Sequence, residues 1–242
     1  MGNDFEYISQ NVARIRSQID AAAIKYGRSP DEITLLSAIK YADLDEVNYL
    51  HTVAGINTVG ENRVQQLLER YDGLDKKDLS IHFIGSLQTN KVKYIVDKVD
   101  LIHSLDSEKL ASEINKQCAK IGKTMDVLCE INCGREENKT GIMPEDAENF
   151  CLGLAKYENI RLKGFMTMAP AGANFDEYRK YFSETVKLVL DIWYKKLYNI
   201  EKPIISMGMS GSFEAAIAEG STLVSVRDFR KISTFASQRR QT

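Results

Sequence analysis

Three histidines, four cysteines and four prolines are few for a chain of 242 residues, and each shortage excludes something. Three histidines leave little room for an imidazole-rich metal centre, and no H-E-x-x-H pattern occurs. The cysteines, Cys118, Cys129, Cys133 and Cys151, form no C-x-x-C pair and have no zinc-ligand spacing. Cys129 and Cys133 flank an expected strand end, where pairing is conceivable, but free thiols of a reducing cytoplasm are the expectation. No apolar run approaches the roughly 18 residues needed to span a membrane. No signal peptide is expected, because Met1–Asp20 is polar and helical in pattern. A net charge of -2 with 27% charged residues argues against disorder and against electrostatic nucleic-acid binding. Neither G-x-G-x-x-G nor a Walker pattern is present. The expectation is a soluble cytoplasmic protein that binds neither nucleic acid nor membrane.

What is present is alternation. Asp4–Tyr26 places Ile8, Val12, Ile15 and Ile19 at three-to-four spacing, an amphipathic helix closed by Gly27. Apolar strand-like runs follow at Ile33–Lys40, Ile56–Val59, Ser80–Ile84, Leu101–His103, Met125–Ile131, Leu162–Met168, Pro203–Ser206 and Ser221–Val226. Helical patterns separate them, one capped by Asp43, others at Gln88–Asp97, from Pro144, at Phe175–Tyr194 and at Ser210–Glu219. Such alternation demands right-handed crossovers and a parallel sheet. Eight units in this length predict an α/β fold, a (β/α)8 TIM-type barrel with an extra N-terminal helix, forming a single domain over 1–242. The polar, basic tail Ser233–Thr242 is expected to fray.

In such a barrel the C-terminal strand ends form the functional face. Lys40 closes the first strand there. A lysine that loses hydration presents a neutral amine able to form a Schiff base with a carbonyl; the plain alternative is a lysine snorkelling from a strand end. Asn62, His82–Gly85, His103, Asn132, Met166, Thr167 and Ser206–Ser210 fall on the same face. Ser206-Met207-Gly208-Met209-Ser210-Gly211, a strand end running into a helix, has the pattern of a phosphate cradle. An ordinary capped helix gives the same pattern.

Taken together, S-A-I-K at 37–40, G-E-N-R-V-Q at 60–65, H-F-I-G-S-L-Q-T-N-K at 82–91, I-H-S-L-D-S at 102–107, N-K-T-G at 138–141, G-F-M-T-M at 164–168, S-M-G-M-S at 206–210 and E-A-A-I-A-E-G-S-T at 214–222 resemble the YggS/PROSC family of pyridoxal phosphate homeostasis proteins. The resemblance covers about residues 8–224. It implies a pyridoxal 5'-phosphate (PLP) barrel like the N-terminal domain of alanine racemase, with Lys40 carrying PLP as a Schiff base. It also implies Asn62 near the cofactor, and Ser210 at the phosphate beside Ser206, Met207 and Gly208. Lys139 matches a lysine implicated in handling PLP. The family is thought to buffer or deliver PLP, with apo-PLP enzymes as possible recipients, without efficient catalysis; a low-activity amino-acid racemase is the alternative. The chain stops at Thr242, so the second domain of alanine racemase, its catalytic tyrosine and its dimer are not expected, and a monomer is.

The resemblance falters after Val224. The family continues V-R-I-G, its arginine approaching the pyridine nitrogen, whereas this chain reads Ser225-Val226-Arg227-Asp228-Phe229. Without gaps, Ser225 replaces the arginine, Arg227 the glycine and Asp228 a phosphate neighbour. With a two-residue insertion, Arg227 recovers the arginine role and Phe229 meets the glycine. An aspartate beside a phosphate repels it, and a side chain in place of glycine obstructs close approach, so PLP binding weaker than the family's is expected.

Overall fold

The computed structural model describes residues 5–227 and residue 229. Asp228 and the tail Ser233–Thr242 lie outside the described residues. The first helix, α1 (Glu6–Lys25), buries Ile8, Val12, Ile15, Ile19, Ala22 and Ala23 along one face. It ends where Gly27 turns to φ +70° and the Arg28 N–H returns to the Ala23 carbonyl at 2.9 Å.

Eight strands follow: β1 (Thr34–Ala38), β2 (Thr58–Glu61), β3 (Ser80–Phe83), β4 (Leu101–Leu105), β5 (Met125–Ile131), β6 (Ile160–Thr167), β7 (Ile204–Met209) and β8 (Leu223–Val226). Each pairs in parallel with its neighbours, and β8 closes on β1. The connecting helices are α2 (Leu44–Thr52), α3 (Val64–Tyr71), α4 (Glu108–Lys120), α5 (Ala147–Gly153), α6 (Phe175–Leu190) and α7 (Phe213–Glu219). The expected barrel with an additional N-terminal helix is the architecture found. Strand side chains alternate between the helices and the barrel interior. In β8, Val224 and Val226 pack with Ile15 and Ile19 of α1 and Ile217 of α7.

Several boundaries move. β1 ends at Ala38, not Lys40, although the Ile39 N–H still bonds the Gly60 carbonyl at 2.9 Å. β2 starts two residues later than expected, because the Ile56 N–H is held by the Leu50 carbonyl at the end of α2. Gln88–Asp97 is instead a 3-10 segment over Thr89–Tyr94, which starts without a capping side chain. α5 begins at Ala147, three residues after Pro144. The long helix ends at Leu190 and continues as a π-helical turn over Asp191–Lys196. Asp43 does cap α2, in a reciprocal box with Glu46.

Among the described residues no helix is long and apolar enough to cross a membrane, and no group of three or more His, Cys, Asp or Glu gathers to hold a metal. The four cysteines are free. Buried Cys129 lies against Cys151 rather than Cys133, whose thiol turns to the Met168 carbonyl.

Candidate cofactor site

A cavity of about 280 Å3 opens at the C-terminal end of the barrel, and Lys40, Asn62, Ser206, Met207, Ser210 and Arg227 all line it. Six residues separated by up to 187 positions are thereby gathered at one mouth, because parallel strands deliver their ends to one face. Lys40 reaches it from the turn just past β1; the side chain is half-buried, its Nζ 4.7 Å from the centre of the Tyr41 ring.

Arg70 of α3 underpins this wall. Its guanidinium donates to the Ile39 carbonyl at 2.8 Å and pairs with Glu61 at 3.3 Å. Glu61 is completely buried, and its other oxygen accepts the N–H groups of Asn62 (2.7 Å) and Arg63 (3.1 Å). Burial raises the Glu61 carboxyl above the ordinary carboxylate range, opposed by Arg70. One guanidinium therefore fixes the backbone on which both Lys40 and Asn62 stand. Asn62 is also met from β3: a Cβ on Gly85 would lie 2.1 Å from the Asn62 carbonyl oxygen, so only glycine allows that approach.

Opposite, β7 carries one residue more than β8 between Ser206 and Met209, a bulge in which Gly208 takes φ +92°. It aims the chain at Ser210, whose Oγ accepts the Arg227 N–H at 3.4 Å. α7 then starts at Phe213, not Ser210. The intervening turn is held by the Met209 N–H on Ser212 Oγ at 3.1 Å. With only seven residues, α7 has a weak dipole, and an anion here depends on Ser210, Arg227 and the turn itself.

Ser225 pairs with Leu36 and lines the cavity, two residues before Arg227 on the same face. β8 holds an unbroken register with β1 through Val226. Phe229 is buried among Ile8 and Val12, with the Asn11 amide donating to its carbonyl at 3.0 Å, and does not line the cavity.

The lining also includes His103, Thr167 and four methionines (Met166, Met168, Met207 and Met209), a soft apolar wall able to hold a flat ring. It carries two basic side chains, Lys40 and Arg227, and no carboxylate among the described residues. An amine, hydroxyls, an amide and a guanidinium without an acid fit an anionic, aldehyde-bearing ring. Lys139 is exposed and Asn132 is buried in its own loop, donating to the Glu136 carbonyl; neither lines the cavity. His103 and Thr167 stood among the strand ends of interest, but nothing in the sequence distinguished them from packing residues.

The family model described as alanine racemase, N-terminal domain, matches residues 35–227, from the second residue of β1 to just past β8. A curated relative from Aquifex aeolicus, named pyridoxal phosphate homeostasis protein, is 39% identical over 90% of this chain and 94% of its own. The protein of that name from Escherichia coli K12 is 33% identical over 90% and 93%. The chain belongs to the pyridoxal phosphate homeostasis protein family, whose barrel is that of the alanine racemase N-terminal domain. The structure of PipY from Synechococcus elongatus with PLP bound superposes with a TM-score of 0.80 at 26% identity, covering 92% of this chain and 98% of that one.

Proposed function

We propose that this protein binds PLP covalently through Lys40 and holds it for vitamin B6 homeostasis in the cytoplasm, as a monomer that buffers the cofactor or hands it to apo-PLP enzymes. The observation that carries the reading is the pairing of Lys40 with a cavity that no carboxylate among the described residues lines and whose far wall presents Ser210 and Arg227. PLP would supply its aldehyde to the lysine, its phosphate to Ser210 and the adjoining turn, and its ring to the methionine wall. Relatives carrying the homeostasis name over 90% of the chain, and a PLP-bound neighbour of the same fold, support it.

Holding is favoured over turnover by the other titratable group on the wall. Racemisation by two bases needs a second proton carrier opposite the lysine. His103 is hydrogen-bonded at both ring nitrogens, and burial pushes its imidazolium form well below the ordinary histidine range. It is thus poorly placed to take up a proton from a ligand. Exchange of the α-proton of alanine, lost in Lys40→Ala, would restore the racemase reading.

The test is the visible absorbance of the purified protein before and after adding PLP, beside Lys40→Ala. A lysine-adduct band that Lys40→Ala lacks is expected. No band with excess PLP would overturn the proposal. On the gap-free reading, in which Arg227 meets the family's glycine, the adduct should be lost on extensive dialysis; stoichiometric retention would contradict weakened binding.

A further inference from the structure

A line of polar groups crosses the barrel interior from its N-terminal end to the cavity. At the solvent end, Asp100, immediately before β4, accepts the Ile81 N–H at 2.8 Å, and Ser80 Oγ lies 3.4 Å from the same carboxylate oxygen. Ser80 Oγ is 3.1 Å from His82 Nε2, His82 Nδ1 is 2.9 Å from His103 Nε2, and His103 Nδ1 is 3.1 Å from Ser206 Oγ on the cavity wall. His82, His103 and Ser206 are all buried.

The direction of every bond in this line follows from its first. A carboxylate only accepts, so the Ser80 hydroxyl donates to Asp100. With its single proton so placed, Ser80 Oγ accepts from His82 Nε2–H. Burial holds His82 at a pKa of about 4 and His103 well below the ordinary range, so each imidazole carries one proton. His82 Nδ1 is then bare and accepts from His103 Nε2–H, and His103 Nδ1 accepts the Ser206 hydroxyl proton.

We propose that Asp100, acting through Ser80, locks both buried imidazoles as Nε2–H tautomers and so presents Ser206 Oγ to the cavity as a hydrogen-bond acceptor. Asp100 and Ser80 are positioning residues that touch no ligand. The ligand group selected at Ser206 is a donor. On the reading of this cavity as a PLP site, the groups of that class are the protonated ring nitrogen and the phenol. A wall with the opposite polarity would select an unprotonated ring.

The lock is tested in ligand-free protein, so its failure leaves the PLP reading untouched. With 15N-labelled histidine and only three histidines in the chain, ring nitrogen–proton correlations report each tautomer. Nε2–H is expected at both His82 and His103. Ser80→Ala should release the lock and populate both tautomers. Asp100→Ala, which removes the acceptor of the Ser80 hydroxyl, should free that proton for His82 Nε2 and populate Nδ1–H at both rings. A wild-type Nδ1–H tautomer at either ring, or tautomers unchanged in both variants, would overturn the proposal. PLP titration of Asp100→Ala then tests the cavity end: a several-fold weaker apparent affinity is expected. Unchanged affinity despite altered tautomers would remove Ser206 as the group that reads the cofactor's donor.

Discussion

Arg70 reaches from α3 to the turn after β1 and to the end of β2, holding the Ile39 carbonyl with one hydrogen bond and the buried Glu61 with an ion pair. Removing one partner of a buried pair is worse than never having the pair, because the remaining charge stays desolvated. Arg70→Ala should therefore destabilise the protein by about 3–5 kcal/mol, read from urea unfolding, and weaken PLP uptake by loosening the turn that carries Lys40. Adding Glu61→Gln to that variant should recover part of the loss, since no buried charge then lacks a partner. None of this was legible in the sequence. Arg70 reads as an ordinary helix-surface residue, whereas the lysine of S-A-I-K stands out because an ammonium group ends an apolar run.

The elements that build the cavity meet through glycines as much as through side chains. The end of β3 passes Asn62 so closely that Gly85→Ala would bring a Cβ against a backbone oxygen, which has no rotamer by which to yield. A cost of about 1–3 kcal/mol is expected, with a weaker PLP site, checked by thermal unfolding and cofactor titration. In the β7 bulge, Gly208 combines φ +92° with a would-be Cβ 2.5 Å from the Ala216 Cβ, so Gly208→Ala should both strain the turn and push α7 outward. That should reduce PLP affinity more than Gly211→Ala, where a Cβ meets nothing within 4 Å. Strand and helix identities were readable from periodicity and caps. The bulge, the late start of α7 and the 3-10 form of Thr89–Tyr94 were not, because each is decided by the neighbour it packs against.

For the molecule as a whole, the buried imidazoles set a pH dependence. His82 is held at about 4 against an ordinary 6.5, and His103 is lowered in the same direction. The unfolded chain therefore binds more protons than the folded one between these values. The resulting stability is fully present above about pH 6.5 and is lost as pH falls towards 4, on the order of 3 kcal/mol for His82. Urea unfolding at pH 7 and pH 4.5 should show the fall, and His82→Gln should flatten it. Bound PLP should raise the unfolding midpoint with ligand concentration in the wild-type protein, and by much less in Lys40→Ala.

The sequence by itself determined the barrel, since eight strand–helix units joined by short connections permit few other closed parallel arrangements. It also singled out Lys40 as the candidate Schiff-base lysine, and its motifs marked the family. Only the tertiary structure decided how residues after Val224 are used: pairing with β1 puts Ser225 and Arg227 on the cavity face and leaves Phe229 in the core. It alone joined Asp100 to Ser206 through Ser80 and two histidines, because apart from the Ser80–His82 step within β3 that line runs from strand to strand, where no spacing along the sequence records it.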